Sequence, residues 1–148
     1  MQLREIMTEG VVTAQAGTDL GAVAALMRDH HVGSVVVCDA EGRPAAMVTD
    51  RDLAVRGMAD QRPLSEPIAD HASRPLVTGD PEMDLEEAAA LMVQHRVRRL
   101  PVVAGDELVG IVTLDDIAVR TGNLEVAQRM TRDVIESAIP GFFFHERG

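Results

Sequence analysis

Two residue pairs in this chain have the types and spacing of a polar recognition turn: Thr49 with Asp52, and Thr113 with Asp116. Each pair sits where a β-branched run gives way to a helical pattern. A carboxylate there can accept both hydroxyls of a sugar diol. Free backbone N–H groups at the helix start can hold an oxyanion. The same residues can equally be plain helix caps, each side chain satisfying one of those N–H groups. Arg51 lies inside the first pair and can meet an anion as a fork. Asp115 holds the corresponding place in the second. Arg98 and Arg99 form a further cationic pair, readable as an anion clamp, a solvated pair or an interface rim.

Metal chemistry has weaker support. The candidates are His30, His31, His71, His95, His145 and Cys38. Adjacent residues on a helix point about 100° apart, so His30 and His31 cannot both face one ion. His30 and His95 fall at equivalent helix ends, where a cation is favourable without any metal. A zinc site combining histidines with a carboxylate stays open as an alternative. The lone Cys38 excludes an internal disulfide and a Cys-only zinc site. It is expected to be a small buried hydrophobe in a strand. There is no G-x-S-x-G, P-loop, H-E-x-x-H or motif-spaced Cys–His pair, so the expectation is that the chain is not an enzyme.

Composition narrows the partners. The chain has 148 residues and a net charge of −10, from 14 basic and 24 acidic side chains. Such a surface repels polyanions, so a nucleic-acid polymer is not expected. No apolar run approaches the roughly 20 residues that span a bilayer, and the N-terminus lacks the pattern of a signal peptide. The cytoplasm is the expected compartment. With no Trp or Tyr and only three Phe, the core must be built from Val, Leu, Ile, Ala and Met.

What positions the two turns is an internal repeat. LGAVAALMRDHHV (20–32) matches LEEAAALMVQHRV (85–97) at an offset of 65, and AAMVTDRDLAVR (45–56) matches VGIVTLDDIAVR (109–120) at an offset of 64. Each copy has the same expected order. A short strand (11–14; 76–78) precedes an amphipathic helix, with stripes Leu20, Val23, Ala24, Met27 and Leu85, Ala88, Ala89, Met92. Asp84 and Glu87 resemble a capping box. Two β-branched strands follow (34–38 and 45–48; 100–103 and 108–112), then a second short helix. The fold class is α+β: two β-α-β-β-α repeats packed as a pseudo-twofold pair with a cleft between them, because one small sheet cannot cover both its faces alone. The expected segments are repeat 1 over 1–60, a linker over 61–66, repeat 2 over 67–122, and a C-terminal helix with a Phe-rich tail over 123–148.

With VRRLPVV (97–103), GIVTLDD (110–116) and MVTDRD (47–52) in this order, the chain resembles a tandem CBS-domain pair, the Bateman module. It is similar to small stand-alone bacterial members, including the hypoxic-response type. The resemblance covers about residues 3–122 and implies a regulatory sensor with an adenosine-containing ligand in the cleft: AMP, ADP, ATP, NAD or S-adenosylmethionine. It assigns the ribose to Asp52 and Asp116, with hydroxyl support from Thr49 and Thr113. The adenine falls against Thr13–Ala14 and Thr78–Gly79, flanked by Val35 and Leu100, and the phosphates fall to Arg98 and Arg99 before Pro101, with Arg51 in the first half. It also implies a homodimer through the CBS helices and a protein effector that it does not identify. Asp115 in place of Arg51, and Gly33-Ser34 in place of Arg98-Arg99, predict unequal halves, with the 49–52 turn as the better phosphate site. The alternatives are a ligand-free structural or interaction dimer and a zinc-binding stress protein.

Overall fold

The structure is a computed structural model and describes residues 1–121 together with Gln128 and Arg132. The expected tail helix, His145 and the Phe142–Phe144 triplet lie outside the described residues. In chain order the elements are α1 (Leu3–Ile6), β1 (Thr13–Gln15), α2 (Leu20–His30), β2 (Ser34–Cys38), β3 (Pro44–Thr49) and α3 (Asp50–Asp52), which runs on as a π-helical turn over Leu53–Met58. After a 3-10 turn (Ile68–His71) come α4 (Leu85–His95), β4 (Arg99–Ala104), β5 (Glu107–Thr113) and α5 (Leu114–Thr121). No described helix is long and apolar enough to cross a membrane.

The chain divides into two compact units. One takes in residues 10–76 with 105–108. Its sheet has the order β1-β2-β3, with β1 parallel and β3 antiparallel to the central β2. The parallel pair needs a crossover, and α2 supplies it. Val35, Val36 and Val37 in β2 are all at most 1% exposed, so both faces of the sheet are covered. Leu20, Val23 and Met27 on α2 pack with Val35, Val37, Ala46 and Val48. Ala24, expected on this stripe, is exposed.

The other unit takes in residues 1–9, 77–104 and the chain from 109 onward. Here β4 and β5 form a two-stranded sheet. The expected strand over 76–78 is reduced to one parallel bridge, Gly79 with Val102. Pro75 and Pro81 bracket this stretch, and a proline has no N–H to extend a ladder. Ala88 and Met92 on α4 pack with Leu100, Val102, Val112, Leu114 and Ile117.

Each core is completed by a segment from the other sequence repeat. Leu3 and Ile6 belong to the core containing α4, β4 and β5. Ile68 belongs to the core containing α2, β2 and β3. The two arrangements correspond residue by residue. Gln2 bridges Asp84 as Pro67 bridges Asp19, and Thr8 bridges Ile111 as Ser73 bridges Met47. The compact units therefore do not follow the repeat boundaries along the chain.

The same segments cap the helices. Asp84 makes no side-chain cap, contrary to the expected capping box. Instead the Leu85 N–H donates to the Met1 carbonyl at 2.9 Å, and the Leu20 N–H donates to the Glu66 carbonyl at 2.9 Å. At the far ends, His31 (φ 54) and Arg96 (φ 58) adopt the left-handed conformation and stop α2 and α4 after His30 and His95.

Candidate functional site

The two Thr–Asp turns are built alike. Thr49 donates its N–H to Asp52 Oδ2 at 2.9 Å, and the Asp52 N–H donates back to Thr49 Oγ1 at 3.2 Å. The Thr113 N–H donates to Asp116 Oδ2 at 2.9 Å, and the Asp116 N–H donates to Thr113 Oγ1 at 3.1 Å. These are reciprocal capping boxes, so all four residues do serve as helix caps. Capping leaves the other carboxylate oxygen, Oδ1, of each aspartate without a hydrogen bond among the described residues. Capping and ligand binding are therefore compatible, with one oxygen for each.

The strand entries meet the helix starts in both units. The Asp50 N–H donates to the Gly33 carbonyl at 3.0 Å, and the Leu114 N–H to the Arg98 carbonyl at 3.4 Å. There the likeness ends. In the first turn the Arg51 N–H donates to Asp50 Oδ1 at 2.8 Å, which uses the last free donor of that helix start. In the second turn Leu114 replaces Asp50, and the Asp115 N–H makes no hydrogen bond among the described residues. Beside it lies a pocket of about 190 Å³ lined by Arg98, Arg99, Thr113, Leu114 and Asp115. That is smaller than the roughly 300–1,000 Å³ of sites that enclose a whole small molecule. It suits the polar end of a ligand.

The other expected residues are dispersed. Val35 and Leu100 are 0% exposed and belong to the two cores, where they offer a ligand no surface. Pro101 is buried beside Leu100. Gly79 is also buried, and strand pairing uses both its backbone groups. Its N–H donates to the Pro101 carbonyl at 2.8 Å, and its carbonyl accepts from Val103 at 2.9 Å. A Cβ at Gly79 would stand 2.7 Å from Leu3 Cδ1, so glycine is there for packing. Thr78 is half-buried, Thr13 is exposed, Ala14 is 9% exposed, and the Arg51 side chain is exposed. Cys38 sits half-buried at the end of β2 rather than inside the core, and burial with the nearby Asp39 raises its thiol pKa. No group of three or more His, Cys, Asp or Glu converges as metal ligands among the described residues.

Sequence reasoning missed one buried polar cluster. His71 is 4% exposed, and its Nε2 lies 3.0 Å from Glu66 Oε2. Arg62 forks onto the same carboxylate, with Nε 2.9 Å from Oε2. The signal was available, because His71 falls at the repeat offset from Ile6.

This architecture defines a twice-repeated β-α-β-β-α module with two matched Thr–Asp turns. The CBS-domain family model matches it twice, over residues 3–57 and 68–120. The chain belongs to the CBS-domain family. The CBS domain-containing protein YhcV of Bacillus subtilis is 41% identical over 125 residues, covering 84% of this chain and 89% of YhcV. A crystal structure of Hypoxic Response Protein I with two coordinated zinc ions is 33% identical, with a TM-score of 0.73 over 80% of this chain and 98% of its own. The CBS domain protein PAE2072 from Pyrobaculum aerophilum, complexed with AMP, is 26% identical, with a TM-score of 0.76 over 86% of this chain and 99% of its own.

Proposed function

We propose that this chain is a regulatory CBS-pair protein, acting as a cytoplasmic homodimer through its CBS helices, that binds an adenosine-containing ligand and catalyses nothing. The observation that carries this reading is the second turn, and not the 49–52 turn expected to be the better phosphate site, because there Asp50 Oδ1 takes the Arg51 N–H. Asp116 keeps one carboxylate oxygen open for a ribose diol, beside a pocket lined by Arg98, Arg99 and the start of α5. Asp52 with Thr49 offers the equivalent ribose contact in the first turn, and Arg51 an outer phosphate contact. In each half the adenine contact falls to the first-strand backbone, at Thr13–Ala14 in one and at Thr78 in the other. The AMP carried by PAE2072 supports an adenine nucleotide as the ligand class. Binding regulates an effector only through a difference in affinity between two states of the protein.

The test is a thermal-shift panel of AMP, ADP, ATP, NAD, S-adenosylmethionine and Zn²⁺. A ligand of the folded state adds about 2.7 kcal/mol of stability at a hundredfold excess over its Kd. A shift with an adenosine compound that Asp116→Ala abolishes is the expected result. No shift with any of them, or a shift with Zn²⁺ alone, overturns the proposal.

A further inference from the structure

The two turns share a backbone but differ in how charge is arranged around it. Both close through the same Thr–Asp reciprocal bonds, with matching distances within 0.1 Å. At the residue just before the aspartate, one turn has a guanidinium and the other a carboxylate. The pocket at the second turn therefore holds two cations, Arg98 and Arg99, and one anion, Asp115. Asp115, which lines the pocket, also carries the one N–H of that helix start left open among the described residues. A pocket meant to attract as much negative charge as possible would not carry a carboxylate at its wall.

Resting on the adenosine-ligand reading above, we propose that Asp115 is a specificity-determining residue. It limits this pocket to a ligand whose 5′ end bears one phosphate or none, and selects against polyphosphates. Two guanidinium groups and a free backbone N–H can hold a single phosphate against the one opposing charge of Asp115. Each further phosphate brings negative charge past that match and toward the Asp115 carboxylate. The repulsion acts within a small pocket, where a charge pair is felt more strongly than in bulk water. Arg51 does not reproduce this at the first turn. Its sign is reversed, and Asp50 already occupies its N–H. Asp115 is exposed and makes no hydrogen bond among the described residues, so its substitution spares the fold.

The experiment measures the affinities of adenosine, AMP and ATP by calorimetry for the wild-type chain, Asp115→Asn and Asp115→Arg. Asp115→Asn is expected to tighten ATP about tenfold, the size of one charge interaction at an intermediate dielectric. AMP should tighten by less, and adenosine should move by under about twofold. Asp115→Arg should tighten ATP further, and added salt should shrink the difference between variants. If all three ligands bind and both variants shift them in parallel or not at all, Asp115 is not a selector and the adenosine-binding function stands. If none of the three binds the wild-type chain, the selector proposal falls, and the adenosine-ligand reading falls with it unless NAD, ADP or S-adenosylmethionine stabilises the chain.

Discussion

His71 Nε2 stands 3.0 Å from Glu66 Oε2 at a place where the other unit buries Ile6. The same core position thus accepts an aliphatic side chain in one unit and a hydrogen-bonded imidazole in the other. Glu66 has further duties. Its carboxylate takes Arg62, and its carbonyl caps α2. His71→Ile is expected to change stability by less than about 1 kcal/mol, because it removes one hydrogen bond while keeping buried volume, and Glu66 keeps Arg62. Glu66→Ala is expected to lower the urea midpoint by more than His71→Ile does, since it strands a buried imidazole. Paired denaturation curves of the two variants check the order.

The same cluster sets an acid limit. The Arg62 guanidinium, then the His71 ring, hold the Glu66 carboxyl below its ordinary value of 4.5 against the opposing effect of burial. The folded value lies below the unfolded one. This contribution is therefore complete above about pH 4.5, and is lost as pH falls through the lowered folded value. Glu66→Gln should flatten the stability profile in that acid window. An unfolding series from about pH 3 to 7 on both proteins reads this directly.

Capping and binding can be separated at the second turn. Thr113→Val removes the oxygen that accepts the Asp116 N–H and should cost about 1 kcal/mol, the usual size of a lost N-cap. Asp116→Asn keeps an acceptor for the Thr113 N–H and loses only a charge in the first helical turn, so its stability should fall by less than about 1 kcal/mol. Its affinity for an adenosine ligand should nonetheless fall about tenfold or more, because a charge-assisted bond to the diol becomes a neutral one. An Asp116→Asn protein that is stable and binds like wild type would make the turn a cap and nothing else.

Both turns could be read from the sequence because their information is local. Thr49 and Asp52, like Thr113 and Asp116, lie three residues apart, and the repeat shows them twice. The stripes of α2 and α4 and the β-branched runs of β2 to β5 were legible for the same reason. The exchange of segments was not. α1 has four residues, too few to show a helical period, and Leu3 meets its hydrogen-bond partner Met83 far along the chain. Periodicity cannot report a contact at that separation, although extending the repeat comparison to Leu3 with Ile68 and Thr8 with Ser73 would have marked both segments as equivalent. Asp84 has the composition of a cap, but the Met1 carbonyl takes the N–H of Leu85 first. Val35 and Leu100 show the opposite error. Family likeness placed them beside a ligand, while the continuous apolar runs around them are what a strand buried on both faces shows.

Gly79 gives the sharpest test of the packing. A methyl group there would sit 2.7 Å from Leu3 Cδ1 and 2.9 Å from Leu100 Cδ2. Both leucines are wholly buried, so neither can swing into solvent to make room. Gly79→Ala should therefore cost about 1–3 kcal/mol, the range for overpacking a filled core. Shortening Leu3 vacates the clashing atoms, so the double variant Gly79→Ala/Leu3→Ala should be destabilised by less than the sum of its single variants. Gly17 is the control: a methyl group added there would meet no atom within 4 Å, and Gly17→Ala should be near neutral. Additive losses at 79 and 3 would mean that the N-terminal segment does not press on Gly79, and that it is not a fixed part of that core.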